Sequence, residues 1–317
     1  MLSELLGIKY PVILAPMFLV SNTKMVKAAI DAGITGVIPA LNYRNSEEFR
    51  KALQELKDTG KVYGINLIVN VSNYKLKEQL DLCKEFKVPF IITSLGNPKQ
   101  VIEQCQPLGM KVFCDVSDMQ YAHKSVRYKP DALIAVLDNA GGHCGKISAE
   151  QFIPDLVKAF PNIPIISAGG VGNKKGIDKM LSLGACGVSV GSIFIASEEA
   201  EVIEEYKNAC VHFGAKDIIT TTKLSGVPCT VINTPYVQEI GSKENFLERI
   251  LNKNKTFKKW FKMIVYKRGM DKLMKAAFSA TYKNVWCAGT TIEYTTEILP
   301  VKEIVSRLVN NENNDER

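Results

Sequence analysis

The sequence has few of the residues that mark metal-binding and disulfide-rich proteins. Its 317 residues include eight cysteines, none of them in a CxxC pair, and only three histidines. Structural zinc sites need closely spaced thiolate and imidazole ligands, and disulfide frameworks belong mainly to small secreted domains. We therefore expect no metal site and no disulfide framework, and we expect a reduced, cytoplasmic protein.

Long apolar runs are also missing, and no signal peptide is expected. The N-terminal residues 1–4 lack the basic and apolar regions of a signal peptide. Apolar runs are short, as at residues 88–92 and 163–166, whereas a membrane-spanning helix needs about 20 apolar residues. No membrane association is expected.

The charge balance argues against a nucleic-acid partner. Forty Lys and Arg against 33 Asp and Glu give a formal net charge of +7, a mild excess unless it is clustered. A composition of 46% hydrophobic and 23% charged residues is typical of a globular protein and not of a disordered one. A small-molecule substrate is the partner we expect.

Short apolar runs alternate regularly with amphipathic segments. Eight runs rich in Val and Ile lie at residues 11–15, 35–39, 62–69, 88–93, 110–116, 132–138, 163–168 and 186–190. Near-continuous apolarity indicates strands buried on both faces of a parallel sheet, and the segments between them carry apolar residues at helical spacing. We predict an α/β fold, a (β/α)₈ TIM barrel. The alternative, an open doubly wound sheet, lacks its early GxGxxG turn.

The alternation stops after about residue 215. Residues 216–282 are basic, with a helical pattern and interspersed aromatics, and we predict a small inserted helical lid subdomain there that covers the substrate. The barrel is predicted to comprise residues 1–215 plus 283–309, with a final helix at 301–308. Residues 310–317 are polar and are predicted to be a frayed tail.

Two glycine-containing loops point to a phosphate-bearing ligand. Active sites of TIM barrels lie at the C-terminal ends of the strands, often with a phosphate held by the loops after strands 7 and 8. Gly169 and Gly170 follow the seventh predicted strand, and Gly191 and Ser192 follow the eighth. Each pair alone is also compatible with a simple strand-to-helix turn, but both together favour phosphate binding.

Three further residues at strand ends are candidates for the site. His143 follows a glycine pair after the sixth strand, and an imidazole on such a turn suits a general base or a substrate anchor. The other histidines, at 123 and 212, lie in helical patterns that favour structural roles. The third strand carries Asn66 and Asp115 comes at the end of the fifth, where each either bonds a cofactor ring or caps a turn.

Taken in order, these loops resemble those of the nitronate monooxygenase family, formerly the 2-nitropropane dioxygenases. They are equally similar to those of a close relative, the flavin-dependent enoyl-acyl-carrier-protein reductase. The segments that carry the resemblance are Ala15-Pro16-Met17, Gly64-Ile65-Asn66, Gly96-Asn97-Pro98, Ala140-Gly141-Gly142-His143-Cys144-Gly145, Ala168-Gly169-Gly170 and Val190-Gly191-Ser192.

The resemblance implies an FMN at the strand C-termini and a single active-site histidine, His143. The cofactor-binding residues that it implies are Met17, Phe18, Asn66, Asp115, Ala168, Gly169, Gly170, Gly191 and Ser192. There are departures from the family pattern: Asp115 stands where some members carry lysine, and Thr290 where relatives often have glutamine.

Two activities follow from the resemblance. A nitronate monooxygenase oxidises alkyl nitronates with O₂ to a carbonyl compound and nitrite. The alternative is an NAD(P)H-dependent enoyl-thioester reductase. Residues 253–275 contain nine Lys and Arg against one acid, and this basic surface would bind an acyl-carrier protein or coenzyme A. The other interpretation of the same residues is a solvated helix face. Asn139, where enoyl reductases tend to have Glu, favours the monooxygenase. A flavin-binding barrel without turnover is the third candidate, and a homodimer is left open.

Overall fold

A closed barrel of eight parallel strands forms the centre of the computed structural model, which describes residues 1–222, 228–240, 242 and 285–310. The barrel strands, in the order in which they pair, are β1 (Val12–Leu14), β2 (Thr35–Pro39), β3 (Gly64–Ile68), β4 (Phe90–Ser94), β5 (Lys111–Val116), β6 (Ala132–Val136), β8 (Ile165–Ala168) and β9 (Gly187–Val190). β1 also pairs with β9, which closes the barrel. The predicted TIM barrel is confirmed.

Helices surround the barrel. Those between the strands agree with the sequence prediction, whereas the first, before β1, and the ninth, after β9, are not predicted. The helices are α1 (Leu2–Leu6), α2 (Thr23–Asp31), α3 (Ser46–Lys57), α4 (Leu76–Phe86), α5 (Lys99–Cys105), α6 (Met119–Val126), α7 (Ala149–Ala159), α8 (Lys174–Ser182) and α9 (Glu204–His212). Side chains that accept a hydrogen bond from the first helical turn set several of the starts, including Asn22, Asn45, Asp118 and Asn173. Such caps satisfy backbone N–H groups that have no partner within the helix.

The interior of the barrel is closed at the N-terminal end of the strands. Alternate strand residues such as Ile13, Phe90 and Phe113 form one buried cluster with Leu2 of α1. A Cβ on Gly187 would lie 2.5 Å from Leu2 Cδ2, so glycine there lets α1 sit tightly against β9. Because this end is filled, a ligand must enter from the C-terminal end of the strands.

A small antiparallel sheet adjoins the barrel and includes part of the segment predicted to be helical. Its strands pair in the order β10 (Ile218–Thr221), β11 (Cys229–Ile232) and β7 (Gly142–His143). The prediction of helix for the start of residues 216–282 is therefore wrong at these two strands. Both strands are rich in the β-branched residues Ile, Thr and Val, which favour strands, so the helical pattern of the later residues does not extend to them.

The chain returns to the barrel after the inserted segment. Cys287 forms an isolated antiparallel bridge with Val231 of β11. The short helix α10 (Pro235–Ile240) follows β11, and the final helix α11 (Val301–Val309) packs against α2 and α8. The rest of the predicted lid, with its basic residues 253–275, and the tail beyond residue 310 lie outside the described residues. The domain boundaries therefore stay a prediction.

Candidate active site

The loops after the seventh and eighth barrel strands, β8 and β9, meet at the C-terminal rim. Gly169 and Gly170 follow β8, while Gly191 and Ser192 follow β9, and the two strands pair in parallel. In the described part of the chain, the backbone N–H groups of Gly170 and Gly191 have no hydrogen-bond acceptor. Unpaired amide donors on two adjacent loops are the groups that bind an anion.

The two glycines after β8 are also needed for the backbone conformation of this loop and for its packing against Asn139. Gly169 and Gly170 have φ values of 119° and 70°, in the left-handed region where other residues are strained. A Cβ on Gly170 would lie 2.4 Å from Nδ2 of Asn139, so the Asn139 amide packs directly on this loop. Oδ1 of Asn139 is buried and has no hydrogen-bond partner among the described residues.

The hydroxyl of Ser192 connects three parts of the rim. Its Oγ accepts a hydrogen bond of 2.8 Å from the N–H of Gly289, in the segment that returns after the insertion. A Cβ on Gly141 would lie 2.7 Å from the same oxygen. The His143 loop and the loop after β9 are therefore in direct contact, and Ser192 Oγ accepts, and does not donate, the hydrogen bond with Gly289.

Met17 and Phe18 lie half-buried on the loop after β1. The N–H of Met17 donates to Ser21 Oγ at 2.9 Å, and that hydroxyl donates to the carbonyl of Ala15 at 2.8 Å. A Cβ on Gly191 would lie 3.3 Å from the Met17 sulfur. The Met17 side chain therefore lies against the loop after β9, at one side of the barrel mouth.

A hydrogen-bonded chain joins the ends of β3, β4 and β5. Nδ2 of Asn66 donates to Ser94 Oγ at 2.7 Å, and Ser94 Oγ donates to Asp115 Oδ2 at 2.5 Å. Asn66 is 6% exposed and also donates to the carbonyl of Ile92. Asn66 thus crosslinks two strands and does not cap a turn, and the two sequence candidates Asn66 and Asp115 belong to one network.

Burial raises the pKa of the Asp115 carboxyl to about 6, although the hydrogen bond from Ser94 lowers it. A carboxyl with a pKa in this range can hold or release a proton near neutral pH. The hydrogen-bonded chain from Asn66 through Ser94 to Asp115 therefore ends in a carboxyl that can change its charge state at the barrel mouth.

His143 lies on a strand and not on the flexible glycine turn that the sequence predicts. In the pairing of β7 with β11, His143 is opposite Cys229 and Gly142 is opposite Thr230. The correction has a physical reason, since backbone pairing with β11 fixes residues that would otherwise form a loop. Gly142 has a φ of 74°, which supplies the turn just before the histidine.

Burial lowers the pKa of His143 from its ordinary value of 6.5. Removing an imidazolium from water penalises the charged form. The neutral imidazole therefore predominates at pH 7, and a neutral imidazole can accept a proton. The lowered pKa therefore disfavours a permanently positive His143 that would bind an anionic substrate by charge.

Thr230 and Ser94 contribute to the site, and the sequence gives little sign of either. Thr230 Oγ1 donates to the carbonyl of Ala140 at 2.8 Å and so ties β11 to the His143 loop. No local pattern marks Thr230, because its partner is distant in sequence. Ser94 directly follows the fourth predicted strand and could have been found by examining every strand end.

The site fits a flavin phosphate on its own geometry. Two unpaired amide donors and the Ser192 hydroxyl lie on adjacent loops whose residues 169–172 and 191–193 contain no carboxylate.

Among the residues that the structure describes, no group of three or more His, Cys, Asp and Glu side chains could hold a metal ion. Nor is any described helix long and apolar enough to cross a membrane.

Fold and site together define a TIM barrel with glycine loops and a strand-borne histidine at its mouth. The family model of nitronate monooxygenases matches residues 61–311, and the chain belongs to that family. It is a flavin-dependent oxidoreductase, as the family match and its relatives indicate.

Three comparisons describe what the chain is similar to. It is 26% identical to the (3aS,4S,5R,7aS)-5-hydroxy-7a-methyl-1-oxo-octahydro-1H-indene-4-carboxyl-CoA dehydrogenase of Rhodococcus jostii strain RHA1, over 92% of this chain and 82% of that one. A probable nitronate monooxygenase of Staphylococcus saprophyticus is 27% identical, over 74% of this chain and 79% of its own. The solved structure of FabK from Thermotoga maritima superposes with a TM-score of 0.83 at 26% identity, covering 97% of this chain and 94% of that one.

Proposed function

We propose that the protein is an FMN-dependent nitronate monooxygenase, which oxidises alkyl nitronates with O₂ to a carbonyl compound and nitrite. The observation that carries the proposal is the His143 imidazole, whose pKa is lowered by burial and whose strand pairs with β11. Gly141, two residues earlier, lies against Ser192 in the phosphate-binding loops. A neutral imidazole beside a flavin site can remove the proton from a nitroalkane, and its ring N–H can donate to a preformed nitronate.

The proposed cofactor is FMN, because the rim offers one phosphate site and the sequence has no second nucleotide-binding fingerprint. The N–H groups of Gly170 and Gly191 and the hydroxyl of Ser192 would hold the phosphate. Met17 and Phe18 would border the ring on one side. Ala168, at the end of β8, and the network of Asn66 and Asp115 would line the rest of the mouth.

Bound there, the flavin would accept the electrons that leave the substrate and pass them to O₂. The chain's own contribution is proton transfer and orientation. With a neutral nitroalkane, the imidazole of His143 removes the proton from the carbon that bears the nitro group. With a preformed nitronate no proton is removed, and the ring N–H of His143 binds the substrate by hydrogen bonding.

An acyl-thioester oxidoreductase, such as the NAD(P)H-dependent enoyl reductase, is the second candidate. The observation in its favour is that a relative named as a carboxyl-CoA dehydrogenase matches 92% of this chain, more than the 74% matched by the probable nitronate monooxygenase. The likeness to FabK agrees with this candidate. The basic residues 253–275, which would dock a carrier protein or coenzyme A, lie outside the described residues.

Anaerobic stopped-flow mixing separates the two candidates. The purified yellow protein is mixed in parallel with NADH, NADPH and propionate 3-nitronate, and the loss of flavin absorbance is followed. A monooxygenase should be reduced by the nitronate and almost not at all by either pyridine nucleotide. Fast reduction by NADH or NADPH, followed by reoxidation with an enoyl thioester, would transfer the assignment to the reductase.

Product analysis under air provides a check that does not depend on absorbance. A nitronate monooxygenase should release nitrite in proportion to the nitronate consumed, with matching oxygen uptake. Reduction by the nitronate without nitrite release would contradict the proposed reaction while leaving the flavin site intact. The His143→Ala variant, assayed in parallel, tests whether the released nitrite depends on the proposed site.

A further inference from the structure

Two cysteine side chains that the proposed reaction does not use lie next to each other at the base of the inserted segment. The Sγ atoms of Cys229 and Cys287 are 3.6 Å apart, although the residues are separated by 58 positions in sequence. All eight cysteines of the chain are free thiols. A disulfide needs the sulfur atoms to approach to about 2 Å, so a small side-chain rotation would bring this pair to bonding distance.

The backbone on both sides of the pair is held in place. Cys287 forms a bridge with Val231, two residues from Cys229 on β11. The hydroxyl of Tyr206 donates to the carbonyl of Cys287 at 2.5 Å, and the Tyr206 ring stacks on Trp286 with centroids 5.6 Å apart. The two thiols are therefore neighbours because of fixed backbone contacts and not because of one chance side-chain conformation.

We propose that Cys229 and Cys287 form a reversible dithiol–disulfide site that closes the chain between them into a covalent loop. The loop contains most of the inserted segment, and its base lies beside His143, which is opposite Cys229 in the sheet. The proposal is independent of the substrate, since it depends only on the two thiols and the strands that carry them.

The two thiols differ in a way that assigns their order of reaction. Cys229 is 2% exposed, and its hydrogen bond with Cys287, together with burial, raises its pKa well above the ordinary value. Cys287 is only partly buried, so a small oxidant reaches it first. Cys287 is thus the attacking thiol and Cys229 the resolving thiol.

With hydrogen peroxide as the oxidant, the chemistry balances in two steps. The Cys287 sulfur attacks one peroxide oxygen, the O–O bond breaks, and a sulfenic acid and one water form. The Cys229 sulfur then attacks the Cys287 sulfur and the S–O bond breaks. The departing hydroxide takes the Cys229 thiol proton and leaves as a second water. Two thiols and one peroxide give one disulfide and two waters, and a dithiol reductant reverses the change.

The test maps disulfides in the full-length protein with its flavin bound. Fully reduced protein is titrated with hydrogen peroxide, denatured in N-ethylmaleimide, digested with trypsin without reduction and analysed by mass spectrometry. We expect one crosslinked peptide pair that joins Cys229 to Cys287, two hydrogens lighter than the separate peptides and lost on reduction with dithiothreitol. A crosslink between any other pair of cysteines would overturn the proposal. So would the absence of any crosslink in protein whose cysteines have been oxidised by the peroxide.

Single substitutions test the order of reaction and supply the control. In Cys229→Ala, Cys287 should accumulate as a sulfenic acid that dimedone traps, whereas in Cys287→Ala neither the crosslink nor the dimedone adduct should form at Cys229. Cys144→Ser is the matched control, because Cys144 is a nearby thiol that acts on Cys229 electrostatically. Its crosslink should form as in the parent protein, and loss of the crosslink would show that Cys144 is a required partner.

Discussion

His143 lies directly opposite Cys229 in the antiparallel pair of β7 and β11. The candidate base is therefore positioned by a strand from the inserted segment and not by the barrel alone. One residue further along, Thr230 Oγ1 donates to the carbonyl of Ala140, so β11 holds the histidine loop at two adjacent points. This arrangement leads to separate expectations for the base, for its support and for the cofactor loops.

Replacing His143 by Ala should leave FMN bound and lower turnover by about 10²-fold, the usual loss for a positioned acid–base group. A neutral nitroalkane should lose more activity than a preformed nitronate, since only the former needs a proton removed. His143→Asn keeps a hydrogen-bond donor without a base and should rescue the nitronate better than the nitroalkane. Steady-state oxygen uptake with both substrates measures this, and unchanged turnover in His143→Ala would remove His143 from the mechanism.

The pH dependence should show the lowered pKa of His143. The neutral imidazole is the active form for a nitroalkane, so kcat/KM should fall tenfold per pH unit below a pKa that lies under 6.5. Above that pKa the profile should be level. The acid limb should persist in Asp115→Asn, which removes the other titrating group, and should be missing with a preformed nitronate. An acid limb above pH 6.5 would contradict the burial argument.

Thr230→Val should lower turnover without loss of flavin, because it removes the hydroxyl that holds the His143 loop. A neutral hydrogen bond contributes about 1 kcal/mol, which corresponds to roughly fivefold if it is fully expressed in positioning. Thr230→Ser retains the hydroxyl and should recover most of the rate. Full turnover in Thr230→Val with a loss in Thr230→Ser would mean that packing of the methyl group, and not the hydrogen bond, matters.

A negative charge at Gly191 should prevent FMN binding. Gly191 suits this test better than Gly170, where any side chain meets Asn139 and requires a strained backbone. At Gly191 the three atoms nearest to a Cβ would belong to the flexible Met17 side chain and to Ala15, at 3.3 Å or more. Gly191→Asp should purify colourless, whereas Gly191→Asn, of equal size and uncharged, should keep most of its flavin. Full flavin content in the Asp variant would remove this loop from the phosphate site.

Asp115 should make the stability of the flavin-free protein depend on pH. Its folded pKa of about 6 exceeds the ordinary 3.8, so the folded state binds the proton more tightly and stability falls as pH rises from about 4 to 6. The full shift corresponds to at most about 3 kcal/mol. Urea unfolding at pH 4.5 and 7.5 should show most of this difference, about 2 kcal/mol, and Asp115→Asn should largely abolish it.

Ser94→Ala provides the matched control for that measurement. The Ser94 hydroxyl lowers the pKa of Asp115, so its removal should raise the pKa further and extend the loss of stability to higher pH. A pH dependence that is identical in the parent, Ser94→Ala and Asp115→Asn proteins would show that other groups are responsible.

The sequence by itself determined the barrel and the position of its mouth. Runs such as Ala132–Val136 are apolar throughout, and the rule that parallel strands carry active sites at their C-terminal ends then selected Asn66, Gly170 and Ser192. The barrel prediction succeeds because strand and helix periodicities are local properties of the chain, while the roles of these site residues stay a prediction. The glycines of the loop after β8 were also informative about the backbone there. Gly169 and Gly170 have positive φ values, a conformation that few other residues adopt.

Tertiary structure alone decided how those residues act together. Ser94 joins Asn66 to Asp115, Asn139 packs on Gly170, and β11 turns the His143 loop into a strand. Each of these contacts joins segments far apart in sequence, and none alters the composition or periodicity of either segment. The same holds for Cys229 and Cys287, whose sulfurs meet only because β11 and the returning segment pair, so distance in space and not pattern in sequence determines their chemistry.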